Sequence, residues 1–341
     1  MKDVGEHVGE RPVTGSPVTD WQARLHVVTG KGGTGKTSVA AALALGLAAG
    51  GRRTLLVEVE GRQGIAQLFD RPPLPYAEQR IASAPGGGEV CALAVDAEAA
   101  LLEYLAMFYN LGFAGRTLRR MGAIEFATTL APGLRDVLLT GKVKECVNRS
   151  VNGRHAYDAV VLDAPPTGRL VKFLDVTRAM ADLAKVGPIR GHSEGVVRLL
   201  HSADTVVHLV TLLEEMPVRE TLDAVAELDA ADLRPGAILV NRVREPRLPA
   251  RSVSKAASGR VDISRVYTDL ASAGLELADK VLDGLVTETV EHATQLEAEQ
   301  RARQKLAEGD LPVIELTERA DGVDVAALYE LAETLLAEDV R

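Results

Sequence analysis

The sequence has few aromatics, two cysteines, no basic excess and no long apolar run, and each shortage removes a class of protein. No stretch approaches the ~20 uninterrupted apolar residues that a membrane span needs, so stable membrane insertion is not expected. Cys91 and Cys146 stand far apart and form no CxxC pair, which argues against a disulfide framework and against a thiolate zinc site. The seven histidines are scattered without metal-ligand spacing. His26 lies on an apolar strand, His201 and His208 flank another, and all three read as structural or surface residues. Aromatics make up 4% of the chain, so the core must be built from Val, Leu, Ile and Ala. The net charge is −9, whereas a chain that grips nucleic acid usually carries a basic face; no nucleic-acid partner is expected. The opening MKDVGEHVGERPVTGSPVTD lacks the apolar segment of a secretory signal, and its Gly, Pro and charge content predicts a disordered lead-in over residues 1–22. Together these features point to the cytoplasm.

What is present is alternation. Leu25–Thr29 reads as a strand, followed by a glycine-rich turn and an Ala/Leu/Val helix over Thr37–Ala48. Further strands are expected at Thr54–Val59, Val90–Val95, Tyr157–Leu162, Thr205–Leu212, Ala237–Val240 and Leu311–Leu316. Helices are expected at Ala97–Phe108, over about 267–307 and over about 323–338, whereas the polar, basic stretch 247–265 reads as a loop or mobile segment. Strands that alternate with helices predict an α/β fold, a mostly parallel doubly wound sheet with helices on both faces. One domain over 23–341 is expected, with an inserted helical subdomain at about 99–150 and 169–203.

Gly30-Lys31-Gly32-Gly33-Thr34-Gly35-Lys36-Thr37 fits G-x-x-x-x-G-K-[ST], the P-loop of nucleotide-binding proteins, between a strand and a helix. Glycines let successive backbone N–H groups turn inward around phosphate oxygens. The helix that follows points its positive end at the anion. Lys36 reaches the β and γ phosphates and the Thr37 hydroxyl holds Mg²⁺. Residues 30–38, Ser38 included, are therefore the candidate ATP site. Asp163 ends an apolar strand and opens Asp163-Ala164-Pro165-Pro166-Thr167-Gly168-Arg169. A carboxylate at that strand tip would bind Mg²⁺ through water. Gly168 offers a backbone N–H near the γ-phosphate, and Pro165-Pro166 stiffens the segment into a lever.

The early Lys31 gives K-G-G-x-G-K-T, the deviant Walker A pattern, and further segments match in order: AVDAEAALLEYL at 94–105, APGLRDV at 131–137, DAPPTGRL at 163–170 and VNR at 240–242. On these the chain resembles the ArsA/Get3 family of dimeric ATPases over most of residues 24–340. The resemblance implies that Lys31 crosses a dimer interface to the opposite subunit's phosphates and stabilises charge on the departing γ-phosphoryl, as an arginine finger does. It implies that Asn241 hydrogen-bonds the adenine, which an amide can do as donor and acceptor.

The chain also departs from that family. The family's second strand runs into a D-P-A-H-type switch whose Asp positions the attacking water; here the stretch is Val57-Glu58-Val59-Glu60-Gly61-Arg62-Gln63-Gly64. Glu60 stands in place of that Asp, its carboxylate about 1.5 Å further out. Glu60 then either positions water, positions it with slow turnover, or only holds water associated with Mg²⁺, and Glu58, on the same face by strand alternation, is the weaker candidate. The Get3 CxxC and the ArsA cysteine trio are absent, and the chain has one nucleotide half where ArsA fuses two. A client groove would want a broad Met- and Leu-rich surface; Met107, Met121 and Met180, among Arg116, Arg119 and Arg120, read more readily as core. Three functions remain open. The first is a dimeric ATPase, homodimer or heterodimer with a paralogous ATPase, that couples nucleotide state to a switch handling a client or partner protein. The second is a regulatory subunit that binds nucleotide with little hydrolysis. The third is a ParA/MinD-like positioning ATPase.

Overall fold

A computed structural model describes residues 21–109, 134–174, 188–319 and 322–337. The apolar strands assemble into one sheet of eight: β1 (Leu25–Gly30), β2 (Arg53–Glu58), β3 (Gln79–Ala84), β4 (Gly88–Ala94), β7 (Ala159–Asp163), β8 (Thr205–Thr211), β9 (Pro235–Val243) and β10 (Val313–Thr317). Their order is β10-β9-β8-β1-β7-β2-β4-β3. Every pairing is parallel except that of β3 with β4. A short hairpin, β5 (Ser150–Val151) with β6 (Arg154–His155), stands apart.

Parallel strands need crossover connections, and these cover both faces. On one face lies α1 (Lys36–Ala48), buried along nearly its whole length. It is held between the sheet and the helix Val325–Ala337, whose Leu328, Leu331, Ala332 and Leu335 join the same core. A helix apolar all round is stable only when covered on all sides. On the other face, Leu138, Val143, Phe173, Val196, Leu199 and Leu228 pack against Leu25, Val27, Leu55 and Val57 of the sheet. The doubly wound expectation is therefore met. The helices Leu134–Asn148, 167–174 and Pro188–Leu200, in the range expected to form a subdomain, share this core with the sheet where they are described. The lead-in 1–20, residues 110–133 and 175–187, and the side chain of Met107 with Met121 and Met180, lie outside the described residues.

The structure adds elements that the pattern did not show. β3 is paired on one side only and shows a mixed burial pattern, so its hydrophobic alternation is weak. The polar segment expected to be a loop carries the helix Ala250–Ala257 and the start of a second, Ile263–Ser272. Asp262 caps the latter by accepting from the Arg265 backbone N–H at 3.0 Å. The single long helix expected over 267–307 is divided at Gly274, whose φ of +81° suits glycine, and resumes at Asp279–Ala307. Ile263, Tyr267, Val281 and Leu285 of these helices are exposed. Among the described residues no helix is long and apolar enough to cross a membrane.

Candidate functional site

The carboxyl ends of β1, β7 and β2 meet at one edge of the sheet, where open parallel sheets place their ligands. β1 runs into the glycine-rich loop, and α1 leaves it at Lys36. At two positions the loop has no room for a side chain. A Cβ at Gly30 would lie 2.2 Å from the Val210 carbonyl oxygen of β8. Gly35 sits at φ +87°, and a Cβ there would lie 2.3 Å from Asn241 Nδ2. The loop is also held from outside: Asn241, on β9, donates from Nδ2 to the Thr34 carbonyl at 2.9 Å, and its Oδ1 accepts from the Arg242 N–H at 2.9 Å. The Thr34 hydroxyl donates to the Lys31 carbonyl at 2.9 Å.

Lys36 opens α1 and is buried; burial pushes its pKa below the ordinary lysine range, against the pull of Asp163 and Glu60. Asp163 lies in register with Val28 of β1. The Thr37 hydroxyl donates to Asp163 Oδ2 at 2.7 Å. Burial raises the Asp163 carboxyl to about 6; Thr37 and Lys36 oppose the shift, while Glu58 and Glu60 add to it. The segment after Asp163 is tied to the loop strand, because the Thr29 hydroxyl donates to the Pro165 carbonyl at 2.7 Å. Ser38 lines a small cleft of about 310 Å³ with Thr37, Gly64, Gln67, Leu68 and Val323. The Thr37 hydroxyl and the Asp163 carboxylate joined here are both oxygen donors, as a hard cation requires.

Two charged residues of the site have partners that the sequence did not indicate. Lys31 Nζ lies 2.7 Å from Glu220 Oε1 of the same chain, on the helix Glu215–Ala230. Glu60 lies 3.4 Å from Arg62 and 3.5 Å from Arg169. Glu58 is buried under the start of the short helix Gly64–Leu68, with Oε2 accepting from the Ile65 N–H at 3.3 Å. Its Oε1 has no hydrogen-bond partner among the described residues. Glu220 and the propping role of Asn241 lie 189 and 207 residues from the loop groups they touch, so no local pattern could have revealed either.

The histidines prove structural where they pack. His26 Nδ1 and His208 Nε2 are 3.1 Å apart on neighbouring strands, and Trp21 lies over the His208 ring. The Ala237 N–H donates to His208 Nδ1, which leaves Nε2–H to donate to His26, whose own Nε2–H reaches the Ala23 carbonyl at 2.9 Å. Burial holds His208 well below the usual histidine range, so its ring is neutral. Both cysteines are free and buried, and burial pushes the Cys146 thiol up to about 12. Among the described residues no group of three or more His, Cys, Asp or Glu has metal-ligand geometry.

A loop built in this way joins the chain to known proteins. The sequence model of the anion-transporting ATPases matches residues 23–201, a range that holds the loop, Glu58, Glu60 and Asp163. The ATPase BagA of Mycobacterium tuberculosis is 60% identical over 319 residues, 93% of this chain and 94% of that protein. An arsenical pump-driving ATPase of Escherichia coli is 25% identical over 300 residues, 83% of this chain but 43% of that longer protein. The agreement extends through the glycine-rich loop and the strand that ends at Asp163, and the chain belongs to the ArsA-type anion-transporting ATPase family.

Proposed function

We propose that the chain binds ATP with Mg²⁺ at residues 30–38, hydrolyses it as a dimer, and uses the nucleotide state to drive a switch that acts on a client or partner protein. The observation that carries this reading is the Thr37–Asp163 hydrogen bond at 2.7 Å beside a loop in which Gly30 and Gly35 leave no room for a Cβ. Backbone N–H groups of the loop and the start of α1 would hold the phosphates. Lys36 would neutralise charge on the β and γ phosphates, and its burial makes that charge count for more. Thr37 directly, and Asp163 through water, would hold Mg²⁺. When bound, the ion would draw charge from the phosphate oxygens and fix their orientation. Asn241, one amide hydrogen of which already supports Thr34, keeps a second hydrogen for an adenine edge.

Lys31 would leave Glu220 for the phosphates of the opposite subunit. Both side chains are more than a third exposed, 35% and 37%, and such a pair is worth at most about 1 kcal/mol. Glu220→Gln is therefore expected to lower the ATP concentration that gives half-maximal dimer by up to about fivefold. Sedimentation against ATP–Mg²⁺ checks this; an unchanged midpoint means that the pair does not hold Lys31 back.

A second reading has its own support. Glu60 stands between two guanidinium groups, which weakens a carboxylate as an acceptor for water and favours a regulatory subunit that turns over little ATP beside a paralogous ATPase. A ParA/MinD-like membrane role finds less support, because the helix Val325–Ala337 buries Leu328, Leu331 and Leu335 against α1 instead of presenting them. The deciding experiment is steady-state ATP turnover of the purified chain beside Lys31→Ala and Glu60→Ala, with mass in solution read with and without ATP–Mg²⁺. A dimerising wild type whose turnover both substitutions abolish upholds the enzyme. Binding without turnover, unaffected by Glu60→Ala, replaces it with the regulatory subunit.

A further inference from the structure

Glu58 is the last residue of β2 and lies in register with Asp163, the last residue of β7. Val57 and Leu162, one step earlier on each strand, face the core on the side away from α1. Strand alternation therefore turns both carboxylates to the α1 side, where Thr37 stands. Glu58 is 2% exposed and Asp163 8%. Asp163 Oδ2 is taken by the Thr37 hydroxyl. Glu58 Oε2 has only the long contact to the Ile65 N–H, and Oε1 is buried without a partner among the described residues.

Two buried carboxylates side by side, one with an unused oxygen, form a costly arrangement unless something positive or a donor fills it. The nearby arginines do not: Arg62 and Arg169 are turned to Glu60. Lys36 is the cation whose charge is felt at Asp163, and its task lies with the phosphates. A polar residue placed on this strand merely for packing would keep both of its oxygens bonded or would be apolar, as Leu55, Leu56 and Val57 before it are. What the arrangement lacks is a hydrogen-bond donor that arrives together with positive charge. A hydrated divalent cation is both, since Mg²⁺ keeps several of its waters and is held through one or two carboxylates.

We propose that Glu58 belongs to the divalent-cation site and that its free oxygen accepts from a water of the ion's shell, beside Thr37 and Asp163. Glu58 then sets metal affinity, and the partly buried Glu60 is left to the arginines or to the attacking water. The inference rests on the reading that residues 30–38 bind a metal-bound nucleotide, and it adds a residue to that site.

The test uses Mn²⁺ as the probe, because it takes the same octahedral oxygen coordination. Free Mn²⁺ is followed by electron paramagnetic resonance as it titrates the full chain loaded with ADP, for the wild type and Glu58→Gln. ADP binding in EDTA is measured on both. Glu58→Gln is expected to weaken Mn²⁺ binding by roughly 10- to 100-fold, the usual cost of losing an outer-sphere partner, with ADP affinity in EDTA unchanged. Mn²⁺ affinity within twofold of the wild type overturns the assignment while the nucleotide reading stands. A wild type that binds no ADP with or without metal overturns both. If Glu58→Gln does not fold, Glu58→Asp keeps the charge but draws the carboxylate back by about one C–C bond; it is expected to lose Mn²⁺ affinity as well, and an unchanged affinity again sinks the assignment.

Discussion

Lys36→Ala is expected to lower ATP turnover at least ~100-fold, the cost of removing one preorganised charge from a phosphoryl-transfer site. Lys36 is the buried cation at the end of the glycine loop, and its ammonium is held against the desolvation that depresses its pKa by Asp163 and Glu60. A cation kept partly dry at that position has its charge available for an anion rather than spent on water. Removal leaves Asp163 with the Thr37 hydroxyl but without its attractive neighbour, so Mg²⁺–ATP binding should weaken as well as turnover. Calorimetric titration with Mg²⁺–ATP and phosphate release measured on the same preparation separate the two effects. Turnover within threefold of the wild type would mean that residues 30–38 are not the phosphate site. Lys36→Arg is a useful companion: it keeps the charge but cannot fit the ammonium's place, and most of the loss should persist.

Asp163→Asn is expected to act in opposite directions on stability and on metal binding. The carboxyl titrates near 6 in the fold against 3.8 when unperturbed. The folded protein therefore holds its proton more tightly than the unfolded chain. The stability this confers is fully present below 3.8 and is lost as pH rises through about 6. Above that pH a buried charge remains, at a cost of about 3 kcal/mol relative to the protonated group. Asn carries no charge and still accepts from Thr37, so the metal-free variant should melt higher than the wild type at pH 7.5. The gap should shrink as pH falls from 7 towards 4. Melting in EDTA across that range checks it, and a gap that does not vary with pH excludes Asp163 as its source. With Mg²⁺ and nucleotide present the order should reverse, because the wild type gains from a ligand that the variant binds weakly.

The loop Gly30–Thr37 and Asp163 were legible because their chemistry is local. A left-handed turn calls for glycine at Gly33 and Gly35, and strand, loop and helix follow one another along the chain. The parallel, two-faced sheet was legible as well, since strands buried on both faces carry unbroken apolar runs such as Ala159–Leu162. β3 was not legible, because an edge strand covered on one side needs little apolar content. The helices at 250–257 and 263–272 were hidden by their charge, although Ala, Ser, Lys and Arg are no bar to an exposed helix.

The sequence by itself determined that this chain carries a P-loop on a parallel sheet and belongs to the ArsA-type ATPases, because those features depend on residues a few steps apart and on backbone angles only glycine takes easily. Only the tertiary structure decided who touches the loop. Strand order brings β9 and the helix after β8 to it, so that Asn241 props Thr34 and Glu220 meets Lys31. The same order sets β2 beside β7, which buries Glu58 next to Asp163 and leaves Glu60 with Arg62 and Arg169. On the sequence Glu58 and Glu60 are two similar acids on one face of a strand end. Burial, which depends on what the rest of the chain lays over each, leaves one beside Asp163 with an unpaired oxygen and makes the other a partner of two arginines.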